Sequence, residues 1–217
     1  IGAQYKGKPV GSCAYSDLAV FSFHPVKIIT TGEGGMILTS DAEFAGRCSY
    51  LRNLAFNDSR RFVHTELGWN FRFSGIQAAM GLSQMSRLRQ TIQKRREIAS
   101  IYREMLEDIP GIEMAPAQTS YALNDYWVVG VLLDENRFGT AQKVMARLAN
   151  AGVQTRPFFF PLHLQPALLR YLPERPRRLP NAEKLGDQGL YLPNGLGTSI
   201  ERIKRAAGIV RDVLVSK

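Results

Sequence analysis

Residues 17–41 read DLAVFSFHPVKIITTGEGGMILTSD, and the reading of this stretch decides the fold. Its first seven residues are rich in apolar, aromatic and β-branched types for their length, which predicts a buried strand over 17–23. Pro25 biases His24 toward an extended backbone, so Lys27 falls just past a strand end, where α/β proteins commonly carry out chemistry. Gly32, Gly34 and Gly35 permit a tight or left-handed turn, and MILTSD (36–41) reads as a second strand. Ser40 followed by Glu43 has capping-box spacing and predicts a helix across DAEFAGRCSYLRNL (41–54). Strand, loop, strand and helix within one short run point to an α/β domain.

Downstream, GWNFRFSGIQAAMGLSQMSRLRQTIQKRREIASIYREML (68–106) begins with small residues, Ala78, Ala79 and Gly81, that suit close helix packing. From Met85 onward the apolar residues Leu88, Ile92, Ile98, Ile101 and Met105 recur among charges, as expected of a long amphipathic helix leaving the first domain for a second. That second domain reads as a strand over YWVVGVLL (126–133), a helix over GTAQKVMARLANAG (139–152) ended by glycine, and an extended run VQTRPFFF (153–160). Pro161, Pro166, Pro173, Pro176 and Pro180 predict irregular or short helical structure. Thr198 or Ser199 caps a final helix, TSIERIKRAAGIVRDVL. The division expected is therefore 1–105, part of a larger domain with its connecting helix, and 106–217, a smaller domain.

A chain of 217 residues with a formal charge of +9 suits one sizeable domain or two small ones, and the charge suits an anionic partner. The basic residues of SRLRQTIQKRRE (86–97) and of the Pro-rich turn YLPERPRRLP (171–180) read as solvated faces, without a zinc-finger or RNA-binding signature. Cys13 and Cys48 have no CxxC spacing, so neither a disulfide nor a metal site is expected. No stretch has the length of a membrane span and the first residues have no secretory pattern, so the expected location is cytoplasmic.

The chemistry gathers around Lys27. Ser22 offers a hydroxyl and the glycine turn can offer backbone N–H groups, both suited to a phosphate oxyanion, while Thr30 and Thr31 either add hydroxyls or satisfy the turn. The lysine precedes the glycines, so this is no nucleotide-triphosphate loop, and GEGG alone is a weak dinucleotide fingerprint.

The sequence SFHPVKIITTGEGGMILTSD resembles the cofactor-lysine motif of the DegT/DnrJ/EryC1/StrS family, sugar aminotransferases that use pyridoxal 5'-phosphate. AQYKG (3–7), GWNFRFSGIQAAMGLSQM (68–85), TRPFFFPLHLQP (155–166) and the last helix resemble the same family in the same order. The resemblance implies a type I aminotransferase-like α/β fold, with part of the large domain followed by the smaller C-terminal α/β domain. It implies that Lys27 forms the Schiff base with the cofactor, that Ser22 binds the cofactor phosphate, and that Asn70 reaches the same phosphate across a homodimer interface. Lys27 would also move the proton between the donor's Cα and the cofactor's C4'. The retained lysine separates the chain from the related branch that carries histidine there and performs dehydration.

The implied reaction passes an amine from glutamate to a nucleotide-linked keto-deoxysugar, a 4-keto-6-deoxyhexose of the perosamine kind. His24 either meets the cofactor or is a structural residue beside Pro25. Arg72 binds a donor carboxylate or a sugar-linked phosphate, or forms a packing or interface ion pair. Arg156 with Phe158, Phe159 and Phe160 forms a wall for the sugar nucleotide, with His163 reaching a hydroxyl or diphosphate, or else the aromatics are core. Neither a metal nor nucleic acid is expected. The resemblance further implies a preceding portion of roughly 150 residues, the size of an average domain, supplying the aromatic residue stacked on the cofactor and the aspartate paired with its ring nitrogen. A noncatalytic or DNA-associated role, or that of an inactive fragment, is the competing reading; salt-dependent duplex binding without cofactor absorbance would select the DNA-associated role.

Overall fold

A computed structural model of the chain describes residues 1–56, 59–172 and 178–216, so Pro173, Pro176 and half of the Pro-rich turn lie outside the described residues. The chain divides into two compact units, residues 1–93 with 117–127, and residues 94–116 with 128–217.

In the first unit the strands Ala19–Ser22 and Gly35–Leu38 pair antiparallel, Ser22 opposite Gly35. The connection between them is closed on itself: Phe23 N–H donates to Gly34 O (2.8 Å) and Thr31 N–H to Phe23 O (3.0 Å). Phe23, Ile28 and Ile29 are buried there, with Ile1, Phe21, Phe73, Leu88 and Trp127 packed against them. Gly34 has φ +139°, and a Cβ built on it would lie 2.1 Å from the Phe73 ring, so this turn needs glycine.

The expected burial of the first strand is not observed: Val20 is 75% exposed, and the facing strand is exposed throughout. Alternation gives a strand its two faces, but only a covering element buries them, and a two-stranded ribbon has none of its own. The helices Ala42–Arg52 and Gly75–Met85 likewise bury no residue. The first helix starts one residue later than its expected cap. Asp41, not Ser40, is the N-cap, accepting from Glu43 N–H (2.7 Å) and Phe44 N–H (3.0 Å), while its own N–H donates to Thr39 Oγ1 (3.1 Å). The full capping box belongs to Ser74 and Gln77 on the helix Gly75–Met85. A short hairpin, Gln4–Tyr5 with Lys8–Pro9, is extended by Ala122–Leu123.

The second unit holds a filled core. Its antiparallel sheet orders Ile112–Met114, Val129–Leu133, Gly189–Leu192 and Arg156–Pro157. Val129, Val131, Leu133, Leu190 and Leu192 are buried, as are Val144 and Leu148 of the helix Ala141–Asn150 and Ile203, Ala207 and Val210 of the helix Ile200–Val215. The amphipathic stripe of the helix Leu88–Leu106 is Ile98, Ala99, Ile101, Tyr102 and Leu106, and it also takes in Arg95, which is buried instead of lying on a solvated face. Arg95 precedes Ile98 by three positions, so helical geometry puts it on the apolar side.

Three expected extents shorten. The strand 126–133 begins only at Val129, because Tyr126 has φ +50° in a turn where Asn124 Oδ1 accepts its N–H (2.8 Å). The run 153–160 is a strand only at Arg156–Pro157, and the long stretch 68–106 is two helices broken at Ser86–Arg87. Thr140 and Ser199 cap their helices. Among the described residues no helix is long and apolar enough to cross a membrane, and no cluster of His, Cys, Asp or Glu could hold a metal ion.

Candidate active site

In the first unit, the lysine loop is built from its own hydroxyls and from two glutamines of the helix Gly75–Met85. Thr30 Oγ1 donates to Phe23 O (2.8 Å) and accepts from Gly32 N–H (3.0 Å), and Thr31 Oγ1 donates to Glu33 O (2.7 Å). Gln84 accepts from Thr30 N–H (3.1 Å) and donates to Thr30 O (2.6 Å), and Gln77 donates to Glu33 O (3.0 Å). The threonines therefore satisfy the turn. The N–H groups of Phe23, Thr30, Thr31 and Gly32 are engaged within the unit.

Ser22 ends its strand with an exposed side chain, and its Oγ accepts from His24 N–H (3.3 Å). His24 is exposed; its Nδ1 accepts from Val26 N–H (3.4 Å) and its Nε2 lies 3.8 Å from Glu33 Oε1. Lys27 is half-buried, and its Nζ sits 3.7 Å from the centroid of the Trp127 ring. Trp127 in turn donates its indole N–H to Val26 O (2.9 Å).

Asn70 is held by the end of the helix Ala42–Arg52. Trp69 N–H donates to Leu51 O (2.9 Å), Leu54 N–H to Trp69 O (3.0 Å) and Phe71 N–H to Arg52 O (3.0 Å). Gly68 permits this approach, since a Cβ there would lie 2.4 Å from Ala55 N. Arg47 and Glu66 pair through two nitrogen–oxygen contacts of 2.5 Å, fixing the segment that leads in. Arg72 Nε donates to Asn70 Oδ1 (2.9 Å), so the side-chain oxygen of Asn70 has a partner and its NH₂ is the group that can donate. Trp69 and Phe71 stack on either side of it in sequence, ring centroids 6.0 Å apart. Among the described residues no hydrogen bond joins the Ser22–His24–Lys27 set to the Asn70–Arg72 pair.

The second unit carries the other three candidates. Arg156 is exposed on its edge strand, opposite Tyr191. The aromatics divide: Phe158 packs on Tyr191 (4.6 Å between centroids), whereas Phe159 and Phe160 are exposed. His163 is the most enclosed, its side chain 11% exposed, with Nε2 3.2 Å from Glu183 Oε1. Glu183 also accepts from Arg178 Nε (2.8 Å) and Leu179 N–H (3.0 Å). These donors, Arg178 first and His163 second, lower the Glu183 carboxyl to about 2.

A carboxylate depressed in the folded chain stabilises it fully above the ordinary value of about 4.5, and the contribution vanishes as pH falls toward about 2. Glu183→Gln is therefore expected to lower the urea midpoint at neutral pH, with the gap from the parent chain closing in that acidic window. A gap of equal size at both ends would assign the loss to shape and not charge.

Trp127 and Glu183 are absent from the sequence-level candidates. Each meets its partner through tertiary approach, and neither lies at a spacing that marks it.

A family model described as the DegT/DnrJ/EryC1/StrS aminotransferase family matches residues 1–211. The GDP-perosamine synthase of Caulobacter vibrioides is 34% identical over 215 residues, covering 99% of this chain and 57% of that protein. The GDP-perosamine synthase of Escherichia coli O157:H7 is 33% identical over 204 residues, 93% of this chain and 52% of that protein. The solved structure of Helicobacter pylori PseC, an aminotransferase involved in pseudoaminic acid biosynthesis, matches with a TM-score of 0.88 at 27% identity, over 100% of this chain and 57% of that one. The chain thus spans about half the length of the curated relatives it matches.

Proposed function

The chain belongs to the DegT/DnrJ/EryC1/StrS family of pyridoxal-phosphate-dependent aminotransferases, and we propose that it carries the reacting lysine and the smaller domain of a transaminase for nucleotide-linked keto-deoxysugars. The observation that carries this reading is Lys27 itself, a half-buried amine just beyond a strand end whose contact is an aromatic face and not a carboxylate. Among the described residues that amine makes no ion pair, so it is held by an aromatic face it can leave when it attacks an aldehyde. The donor set also fits the cofactor: the Ser22 hydroxyl and the Asn70 amide, both on exposed residues, suit phosphate oxygens.

Pyridoxal phosphate, when bound, supplies the electron sink that lets a proton leave the donor's Cα. Lys27 would attach the cofactor and then carry that proton from the donor's Cα to the cofactor's C4'. Ser22 would bind the phosphate, and Asn70 would bind it from a second copy of the chain. Leu67 and Ile76, 82% and 78% exposed, lie with Trp69 and Phe71 along the sequence around Asn70, an apolar surface of the kind a homodimer covers. His24 and Arg72 are the candidates for the donor and its carboxylate; Arg156, Phe160 and His163 are those for the sugar nucleotide. In this reading residues 1–105 are part of the cofactor domain and 106–217 the smaller domain.

The GDP-perosamine synthase relatives favour a GDP-linked sugar as acceptor, and we take a 4-keto-6-deoxyhexose as that sugar, glutamate as donor and the cytoplasm as location. The test is an absorbance spectrum of the purified chain with added pyridoxal phosphate, before and after glutamate. A visible band of bound cofactor that glutamate bleaches is the expected result. Without such a band in this chain, or in a longer chain that carries the preceding portion the resemblance implies, the noncatalytic reading takes its place.

A further inference from the structure

We propose that Trp127 is a positioning residue for the Lys27 amine, holding it against the indole face until the cofactor takes it. The indole is anchored at three places. Its N–H donates to Val26 O (2.9 Å), the residue just before the lysine, across 101 positions of sequence. Its hydrocarbon part packs on the cluster of Phe23, Ile28 and Ile29. Its face lies 3.7 Å from Lys27 Nζ, the distance of a direct cation–π contact.

Two backbone features make that geometry available. Lys27 N–H donates to His24 O (2.9 Å), so a turn fixes the backbone from which the amine extends. Tyr126 has φ +50°, so the chain bends just before Trp127 and the strand starts only at Val129. A ring face attracts the cation without the hydrogen bonds and the charge of a carboxylate, so it restrains the amine in direction yet releases it readily. Restricting a reacting group to one orientation before reaction is a recognised source of rate.

The inference rests on Lys27 being the reacting amine, but its test needs no cofactor, so its failure and that of the functional reading are separable. The purified chain is treated with a limiting amount of an acetylating ester, and the rate at Lys27 is read by mass spectrometry relative to the exposed Lys143. Trp127→Leu keeps apolar bulk but removes the π face, and is expected to raise that ratio about fivefold, the scale a contact of this kind allows. Trp127→Phe keeps a weaker face and is expected to fall between the two. An unchanged ratio in Trp127→Leu, or a Phe variant as fast as the Leu variant, overturns the proposal.

A second reading does not depend on either variant folding. The chain has two tryptophans, so Trp69→Phe leaves Trp127 as the sole indole emitter. Adding Lys27→Met in that background is expected to shift the Trp127 emission. Identical spectra with and without the amine would likewise overturn the contact.

Discussion

Lys27→Ala is expected to yield a folded chain that no longer fixes pyridoxal phosphate on borohydride treatment and no longer transaminates. The substitution removes a half-buried side chain whose contact is the Trp127 ring, and leaves the buried cluster of Phe23, Ile28 and Ile29 untouched. The loop keeps its shape because its bonds run through the backbone, Thr30, Thr31, Gln77 and Gln84. Loss of the proton carrier alone costs about a hundred- to ten-thousand-fold in rate. Loss of the attachment point as well takes turnover below detection.

Lys27→Arg sharpens the result. Arginine keeps a cation for the indole face, yet stays protonated and cannot attack an aldehyde. It is therefore expected to preserve Trp127 emission while abolishing borohydride fixation. Full turnover in either variant, assayed with glutamate and a GDP-linked keto sugar, would remove Lys27 from the chemistry and the aminotransferase reading with it.

The place of the lysine just past a strand end was legible because its signals are local. Strand, lysine and glycine turn follow each other within 25 residues, and the strands Ala19–Ser22 and Gly35–Leu38 occur where apolar content and glycines predict them. Burial was not legible, since Val20 is apolar by composition and exposed for want of a covering layer. Ser40 and Asp41 are both good caps, and a neighbour decides between them, Thr39 holding the Asp41 N–H. The strand Gly189–Leu192 escaped notice because the three apolar residues between Gly189 and Pro193 are too few to display a period, though the strand lies between two others of the sheet. The aromatic run at 158–160 split: Phe158 lies closest to Tyr191, with centroids 4.6 Å apart, while Phe159 meets the same ring edge-on at 6.1 Å and, like Phe160, remains exposed.

The second large effect concerns the unit that holds the filled core. Tyr102 is 0% exposed in the stripe of the helix Leu88–Leu106, and its hydroxyl donates to Pro193 O (2.9 Å), just after the strand Gly189–Leu192. Burial pushes its phenol up, so the group stays neutral and a donor throughout the working range. Tyr102→Ala removes the ring and leaves a cavity among buried residues, a loss of about 3–5 kcal/mol by the precedent of large aromatic truncations. Tyr102→Phe keeps the ring and leaves the Pro193 carbonyl without this donor, which costs about 1–2 kcal/mol. Urea unfolding followed by far-ultraviolet circular dichroism separates the two, with Ala far below Phe and Phe modestly below the parent chain. Equal losses would mean that the hydrogen bond, and not the packed ring, anchors this helix to the sheet. A small loss in both would mean that the core can close over the missing ring, contrary to the tight burial of Ile98, Leu106 and Ile203 in the same unit.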